Sequence, residues 1–267
     1  MSYSETVGWT MRISAAGTAL IVLGSCAAGD AELITPSRAA ATRRWAPIDR
    51  AGRSLDHPLA RARSPAPKRA MGARSLGDRL LIRSRLRARP TRLIAARNPI
   101  DQRLVFTVIR RARTRTGKWL KILLAERPNG SSAWVRARAI DLVRLRHRVV
   151  VDLSAHRLRH YRNDRLLHTF RVGVGTAGTP TPTGRFFVWA RVPQRDPGGP
   201  YGVFALGLSG FSSVLTDWPG GGRAAVHGTS NPADRGRAVS HGCVRAFNPQ
   251  MMRLRTVPMG TPVVIRA

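Results

Sequence analysis

The chain has 267 residues, of which 43% are hydrophobic, and a formal net charge of +32 from 46 Lys and Arg against 14 Asp and Glu. This length allows one large domain or two small ones. Two cysteines exclude a disulfide-rich scaffold and a four-cysteine zinc site, and without an apolar run of 18 residues the chain is not a multi-span membrane protein. The charge first suggests a nucleic-acid-binding protein. However, residues 1–150 carry 31 of the basic and 9 of the acidic side chains, whereas the chemistry is predicted after residue 150.

Residues 1–30 have the features of an export signal. Arg12 precedes an apolar stretch, residues 13–23, that is too short to span a bilayer as a helix and suits the core of a signal peptide. The stretch ends in Leu23-Gly24-Ser25-Cys26, which resembles the lipobox of bacterial lipoproteins and implies lipid attachment at Cys26. The alternative is an ordinary signal peptide cleaved near Ala27. We therefore expect an exported protein of the cell envelope, anchored to the membrane if Cys26 is lipidated.

Residues 31–100 are predicted to form a disordered linker, because they are rich in Arg, Ala and Pro and offer too little apolar surface to fold. Within this stretch, leucines mixed with arginines in residues 76–96 favour a basic amphipathic helix that suits an anionic membrane face. The alternative for the same residues is a solvated linker. The charge of the linker predicts contact with an anionic membrane or with wall polymers.

Residues 101–146 are predicted to form a small β module. Apolar runs at residues 104–109, 119–124 and 133–136 indicate strands, and Asn129-Gly130 between the last two is a strong turn signal. Short strands separated by such turns resemble the SH3-like barrels that often precede bacterial cell-wall catalytic domains. That resemblance implies a spacer or docking module without chemistry of its own.

Residues 147–267 are predicted to form a mostly β catalytic domain with one or two short helices. Apolar runs of four to eight residues, separated by turns such as Asn163-Asp164, indicate strands. Near the end, Asn248-Pro249 indicates a helix start with Asn248 as the cap and Pro249 as the first helical residue. The helix is expected to run to about Val257, and residues 261–265 to form a last strand.

Two short motifs in this segment contain the residue types of nucleophilic catalysis. His227-Gly228-Thr229 follows an apolar run, and Ser240-His241-Gly242-Cys243-Val244-Arg245 comes soon after it. A thiol needs a base or an electropositive site to act as a nucleophile at neutral pH, and the glycine-containing turn could direct backbone N–H groups at an oxyanion. The pattern favours a cysteine acyl-transfer site. The residues alone also allow a buried cysteine beside two structural histidines, or a metal site.

The string VHGTSNPADRGRAVSHGCVR resembles the signature of the L,D-transpeptidase, or YkuD, catalytic domain family. In that family an HGT-type motif precedes an SHGC-[IV]-R motif. The resemblance extends over roughly residues 147–267 and includes the TPTG turn at residues 181–184 and the closing Gly260-Thr261-Pro262-Val263. It departs from the family at Ala246-Phe247, where a Met or Leu type of continuation is common. The resemblance implies an L,D-transpeptidase-type β-sandwich.

The same resemblance implies the catalytic residues. Cys243 would be the nucleophile and His227 the general base, with the backbone carbonyl of Gly228 holding the imidazole in its tautomer. The backbone amides of His241, Gly242 and Cys243 would form the oxyanion site. No metal and no cofactor are implied.

Three further residues are implied to shape the loop or to contact the substrate. Ser240 and Arg245 flank the nucleophile, although Arg245 could equally form an internal ion pair. Tyr201 lies in residues 191–211, where the family carries a lid, and core or loop packing is the alternative for its side chain.

The function implied by the resemblance is a peptidoglycan L,D-transpeptidase that forms 3→3 cross-links on tetrapeptide stems through a cysteine thioester. The alternatives are an L,D-carboxypeptidase or exchange enzyme on the same stems and, in a different class, a non-catalytic cell-wall-binding protein. Nucleic acid is not an expected partner, because the chain has an export signal and no recognisable nucleic-acid-binding module. We expect a monomer, and by resemblance we expect Cys243 to form a covalent adduct with a carbapenem.

Overall fold

The computed structural model describes residues 70–90, 92–218 and 220–267. The predicted export signal with Cys26, and residues 31–69 of the predicted linker, lie outside the described residues. Over the described ranges, no helix is both long and apolar enough to cross a membrane.

The described part of the chain is mostly β, which confirms the predicted class. Its helical structure consists of α1 (Asn248–Arg253) and the 3-10 turns Ala137–Ala139, Pro232–Asp234 and Leu254–Thr256. Its strands are β1 (Ala70–Ser75), β2 (Arg79–Ile82), β3 (Arg92–Ala95), β4 (Val105–Thr114), β5 (Gly117–Leu123), β6 (Ser132–Arg136), β7 (Ile140–Leu145), β8 (His147–Asp152), β9 (Arg157–Arg162), β10 (Arg165–Arg171), β11 (Val174–Gly175), β12 (Gly184–Pro193), β13 (Phe204–Phe211), β14 (Arg223–Thr229), β15 (Ala238–Ser240), β16 (Val244–Phe247) and β17 (Pro262–Arg266).

The upstream module is larger than the sequence predicts. Its sheet has the order β6-β5-β4-β1-β7, so β1 lies between β4 and β7. The prediction of a linker is therefore wrong for residues 70–100. Strand β1 is made of small residues that carry little strand signal, and Gly72 is needed there because a Cβ at this position would collide with the side chain of Val105. Whether the module is an SH3-like barrel stays a prediction.

The predicted amphipathic helix in residues 76–96 is also wrong. Residues of this stretch form the antiparallel hairpin β2-β3, with Leu80 opposite Ile94. In β2 the side chains alternate between exposed and buried, so Leu80 and Ile82 enter the core while Arg79 and Leu81 face outward. A period of two residues places these leucines on the two faces of a strand and not along one side of a helix.

The catalytic sheet has the order β10-β9-β8-β17-β12-β13-β14-β16 and folds over at β12. The first half of β12 pairs with β17, with Phe187 opposite Pro262, and its second half pairs with β13, with Val188 opposite Leu208. The two halves enclose one core, to which α1 adds Met251. This core fixes β14 and β16, which carry the motifs.

The module packs directly on β12, because adjacent side chains of that strand point in opposite directions. Phe186 lies in the catalytic core, whereas Phe187 lies in the core of the module and makes an edge-on contact with Phe106 at 5.9 Å. Gln102 adds two hydrogen bonds to the backbone of Arg191, accepting from its N–H at 2.9 Å and donating to its carbonyl at 2.6 Å. The module and the catalytic domain therefore share a core and a polar seam.

The predicted capping role of Asn248 is wrong. Asn248 lies inside α1, and its Oδ1 accepts a hydrogen bond from the N–H of Val203 at 3.1 Å while its Nδ2 donates to the carbonyl of Pro197 at 2.8 Å. The side chain thus fixes the β12–β13 connection and not the helix end.

Candidate active site

The strand register brings the two sequence motifs together. Strands β14 and β16 are parallel neighbours, with Val226 opposite Val244 and His227 opposite Arg245. Cys243 immediately precedes β16, so it lies two residues before the level of His227 and on the same face. Such diagonal neighbours have Cα atoms roughly 8 Å apart. Both side chains line one groove with a volume of about 190 Å³.

His227 is buried and its ring orientation is fixed by a backbone carbonyl. Its exposed fraction is 3%, and its Nδ1 lies 2.8 Å from the carbonyl oxygen of Gly228. Because a carbonyl only accepts hydrogen bonds, Nδ1 must carry the hydrogen, which leaves Nε2 free of a proton in the neutral ring. Burial lowers the pKa of His227 to about 4. The ring is therefore a neutral base at physiological pH.

Cys243 is a free and partly exposed thiol. Burial raises the pKa of the Cys243 thiol. A hydrogen bond from the backbone of Ala225 and the charge of Arg245 both lower this pKa, but burial has the larger effect. At neutral pH the resting pair is then a thiol beside a neutral imidazole. Proton transfer from the thiol has to accompany its attack.

The turn before Cys243 is held by hydrogen bonds within it and by Thr179, which lies two residues before the TPTG turn. Ser240 Oγ donates to the carbonyl of Cys243 and accepts from the N–H of Gly242 at 3.2 Å. Gly242 has a φ of +106°, which L side chains rarely adopt, and Thr179 Oγ1 donates to the carbonyl of Ser240 at 3.1 Å. Ser240 thus contacts the loop itself. The Gly242 amide is engaged inside the turn, so His241 and Cys243 remain the predicted oxyanion donors.

Tyr201 packs against His227. Its ring meets the His227 ring edge-on at 5.1 Å, and its carbonyl accepts from the N–H of Gly228 at 3.0 Å. The approach requires glycine on both sides, because a Cβ on Gly202 or on Gly228 would collide with Oδ1 of Asn248. Tyr201 therefore helps to hold His227, and its predicted contact with substrate stays a prediction.

Arg245 forms an ion pair with a buried carboxylate. Its Nη1 lies 3.3 Å from Oδ2 of Asp234, and Asp234 is only 5% exposed. Oδ2 of Asp234 also accepts a hydrogen bond from Thr229 Oγ1 at 2.9 Å, and its Oδ1 accepts one from Asn231 Nδ2 at 3.3 Å. These contacts tie the end of β14 to the start of β16. Arg245 therefore forms the internal ion pair that the sequence analysis gave as its alternative, and its predicted contact with substrate stays a prediction.

His241 lies exposed at the mouth of the groove, stacked on Trp218 with ring centroids 5.4 Å apart and an angle of 23° between the rings. Besides the motif residues, the groove is lined by Trp189, Tyr201, Leu215 and Trp218, and by Pro99 and Ile100 from the upstream module. Its walls are therefore largely apolar. In the described ranges no three His, Cys, Asp or Glu side chains converge in a way that could hold a metal ion.

Comparison with known proteins shows what the domain that holds this groove resembles. Residues 146–265 match the family model of the YkuD L,D-transpeptidase catalytic domain. The domain that holds the groove is thus similar in sequence to L,D-transpeptidase catalytic domains. Over 120 residues the chain is 39% identical to a Bacillus licheniformis protein that bears the name L,D-transpeptidase YkuD, and 38% identical to its Bacillus subtilis namesake. Each alignment covers 45% of this chain and 65% of the relative.

The chain therefore spans less than two thirds of the length of these curated relatives. A solved L,D-transpeptidase from Mycobacterium smegmatis is 18% identical, with a TM-score of 0.38, and the match covers 56% of this chain and 91% of that one. L,D-transpeptidase 3 from Mycobacterium tuberculosis, solved with a faropenem-derived adduct, is 17% identical with a TM-score of 0.38, and the match covers 53% and 76%.

Two residues of this domain were not predicted from the sequence. Asp234 lies inside the signature string, and as the acidic residue between the two motifs it could have been noted as a partner for Arg245. Trp218 precedes a glycine-rich turn and carries no signal that relates it to His241. The contact between Trp218 and His241 depends on how β13 and β14 are connected.

Proposed function

We propose that the chain is a peptidoglycan L,D-transpeptidase that forms 3→3 cross-links through a thioester on Cys243. The observation that carries this proposal is the buried His227, whose Nδ1 hydrogen is held by the Gly228 carbonyl in the groove that also holds the thiol. A neutral imidazole with a free Nε2 is the form that a general base requires. The family assignment of residues 146–265 supports the substrate class, which is a peptidoglycan stem peptide.

The first half of the proposed reaction forms the acyl-enzyme. The Cys243 sulfur attacks the carbonyl carbon of the third stem residue while Nε2 of His227 takes the thiol proton. The tetrahedral oxyanion is stabilised by the amides of His241 and Cys243. It collapses by breaking the amide bond to the terminal D-Ala, whose amine leaves with the proton from His227. The product is a thioester and a free D-Ala.

The second half transfers the acyl group. A side-chain amine of the third residue of a neighbouring stem attacks the thioester carbonyl, and His227 accepts a proton from that amine. The thiolate leaves and recovers the proton from His227, so the enzyme returns to its starting state. The two stems are then joined by one new amide bond. The sum is an exchange of one amide for another, which needs no ATP. If water takes the place of the amine, the same site is an L,D-carboxypeptidase.

Intact-mass analysis after reaction with a carbapenem tests the nucleophile. The full chain is used for this test, because a chain that begins at residue 101 would lack β1, which lies between β4 and β7 in the module sheet. We expect one adduct on the unmodified chain and none on Cys243→Ala. Cys26→Ala is the matched control, since it removes the other cysteine, and its adduct should persist. An adduct that survives in Cys243→Ala, or no adduct on the unmodified chain, would overturn the assignment.

Product analysis with purified stem peptides separates the remaining alternatives. Dimers joined between two third residues support transpeptidation, whereas tripeptides alone support L,D-carboxypeptidase activity. D-Ala replaced by another amino acid supports exchange. Binding to wall material without any product would favour a non-catalytic wall-binding protein.

We also propose that the protein is exported to the cell envelope and anchored through Cys26. The support is the lipobox-like Leu23-Gly24-Ser25-Cys26 and the apolar stretch before it. A precursor that accumulates when cells are treated with globomycin, and a loss of that response in Cys26→Ala, would support lipidation. A precursor size that globomycin does not change would mean ordinary cleavage.

A further inference from the structure

The connection between β13 and β14 forms one side of the groove and contacts the loop that carries the thiol. It leaves β13 at Phe211 and returns at Arg223, and its Leu215 and Trp218 line the groove. Trp218 stacks on His241, which is two residues from Cys243. The position of this connection therefore affects both the width of the groove and the loop of the nucleophile.

The upstream module holds both ends of this connection through the turn between β5 and β6. Asn129 pairs with Phe211 as a neighbouring strand would, because its Oδ1 accepts from the Phe211 N–H at 2.9 Å and its Nδ2 donates to the Phe211 carbonyl at 2.7 Å. Arg127 Nη1 donates to the carbonyl of Ser212 at 2.7 Å, and its Nη2 donates to the carbonyl of Gly221 at 2.8 Å. The forked guanidinium thus joins the two ends to each other.

Stacked side chains reinforce these hydrogen bonds. The Phe211 ring contacts the guanidinium of Arg127 at 5.0 Å and that of Arg223 at 4.2 Å. Arg223 also lies 3.7 Å over the ring of Trp189, and its pKa, lowered by burial to about 10, leaves it charged at neutral pH. These cation–π contacts link the module, the two ends of the connection and β12.

The connection is also tied to itself, so fixing its ends fixes Trp218. The N–H of Ser212 donates to the carbonyl of Gly222 at 2.7 Å, and the N–H groups of Gly221 and Gly222 donate to the carbonyl of Trp218 at 2.8 and 3.2 Å. Gly222 has no room for a side chain, because a Cβ would collide with the carbonyl of Leu215.

We propose that Arg127 and Asn129 are positioning residues of the transpeptidase site, which they serve by holding the β13–β14 connection and, through it, Trp218 against His241. This inference rests on the proposed function. Neither residue lines the groove that holds Cys243, so neither is catalytic. Because a groove wall contacts the bound stem in both the ground state and the transition state, loosening it raises KM more than it lowers kcat.

The experiment compares Arg127→Ala, Arg127→Lys and Asn129→Asp in the full chain, with Arg111→Ala as the matched control. Arg111 is an exposed arginine of the same module and lies on β4, where it pairs with Leu120 of β5. Hydrogen–deuterium exchange of the peptides between Phe211 and Arg223 measures how firmly the connection is held. The rate of Cys243 acylation by a carbapenem and KM and kcat with a stem peptide measure the site.

We expect faster exchange in the connection and an acylation rate lowered about tenfold in Arg127→Ala and Asn129→Asp, the effect of losing one or two hydrogen bonds of this kind. KM should account for most of the loss with the stem peptide. Arg127→Lys, which keeps the charge but not the fork, should lie between Arg127→Ala and the unmodified chain. Arg111→Ala should match the unmodified chain in every measurement.

Unchanged exchange in Arg127→Ala and Asn129→Asp would overturn the proposal whatever the kinetics. Faster exchange with unchanged KM and an unchanged acylation rate would also overturn the proposal, because the contacts would then be merely structural. A variant whose melting temperature falls while KM and the acylation rate stay the same would overturn it for the same reason. Absence of an adduct on the unmodified chain would instead overturn the proposed function, while the exchange data would still report whether the module holds the connection.

Discussion

Two buried histidines of the catalytic domain lie in opposite surroundings, His227 in the groove and His160 on β9 near the edge of the sheet. Both are almost fully enclosed, with exposed fractions of 3% and 0%, and the pKa of each is lowered to about 4, chiefly by burial. Both are therefore neutral at physiological pH. Burial and a lowered pKa alone do not distinguish a catalytic base from a structural histidine.

The two histidines differ in what their ring nitrogens contact. Nδ1 of His227 faces a carbonyl, which fixes the tautomer. Nε2 of His160 lies 2.9 Å from Nδ1 of His147, which as another imidazole nitrogen can either donate or accept. Nδ1 of His160 is buried and has no hydrogen-bond partner among the described residues. The ring of His160 also stacks on that of His147, with centroids 5.1 Å apart, and lies tilted against that of His168, with centroids 5.6 Å apart. A fixed tautomer beside a thiol is what the proposed general base requires, whereas the ring contacts of His160 are those of a packed side chain.

Replacing each histidine by glutamine tests the difference between His227 and His160 most directly. His227→Gln should lower the rate of Cys243 acylation about 10²–10⁴-fold, because the thiol loses the general base that accepts its proton. His160→Gln should leave that rate unchanged, since His160 does not line the groove. Stopped-flow or mass-resolved acylation at one pH measures both. Similar losses in the two variants would mean that His227 acts only as a packed side chain.

The pH dependence of the free energy of unfolding tests whether His160 is buried in its neutral form. The folded-state pKa of His160 is about 4 against an ordinary value of 6.5, so the unfolded chain binds more protons between these values. Stability is then complete above pH 6.5 and is lost as the pH falls toward 4. The shift corresponds to about 3 kcal/mol over that window. Burial is the main cause, followed by the charges of His147, His168 and Arg162.

We therefore expect urea unfolding of His160→Gln to show a flatter decline of the free energy of unfolding between pH 6.5 and 4 than the unmodified chain. His227, with a similar shift, keeps part of the decline in that variant. His168→Gln is the matched control, because His168 is less buried and should change the slope less. An identical slope in His160→Gln and the unmodified chain would contradict a neutral, buried His160.

The sequence predicts the parts of the molecule that are encoded by neighbouring residues. Strands such as β5 and β12, and the chemistry of His227 and Cys243, follow from short apolar runs and from two motifs close together in the chain. Strand β1 was missed because Ala70, Gly72 and Ala73 carry little apolar signal, and only their fit between β4 and β7 makes them a strand. Contacts such as that of Asn129 with Phe211 join residues 82 positions apart, and no local pattern encodes them.

The smallest expected effect concerns the carbonyl that distinguishes His227 from His160. A side chain at Gly228 would meet Oδ1 of Asn248, and its Cβ would lie 2.9 Å from the N–H nitrogen of Val203. Gly228→Ala should therefore cost about 1–3 kcal/mol in the free energy of unfolding, as overpacking of a rigid site does. It should also slow acylation, because the strain displaces the carbonyl that holds Nδ1 of His227. Gly178→Ala is the matched control, because a Cβ at Gly178 would meet no atom within 4 Å. Lower stability with undiminished acylation in Gly228→Ala would show that the ring of His227 keeps its tautomer without this carbonyl. The Gly228 carbonyl would then not be what distinguishes His227 from His160.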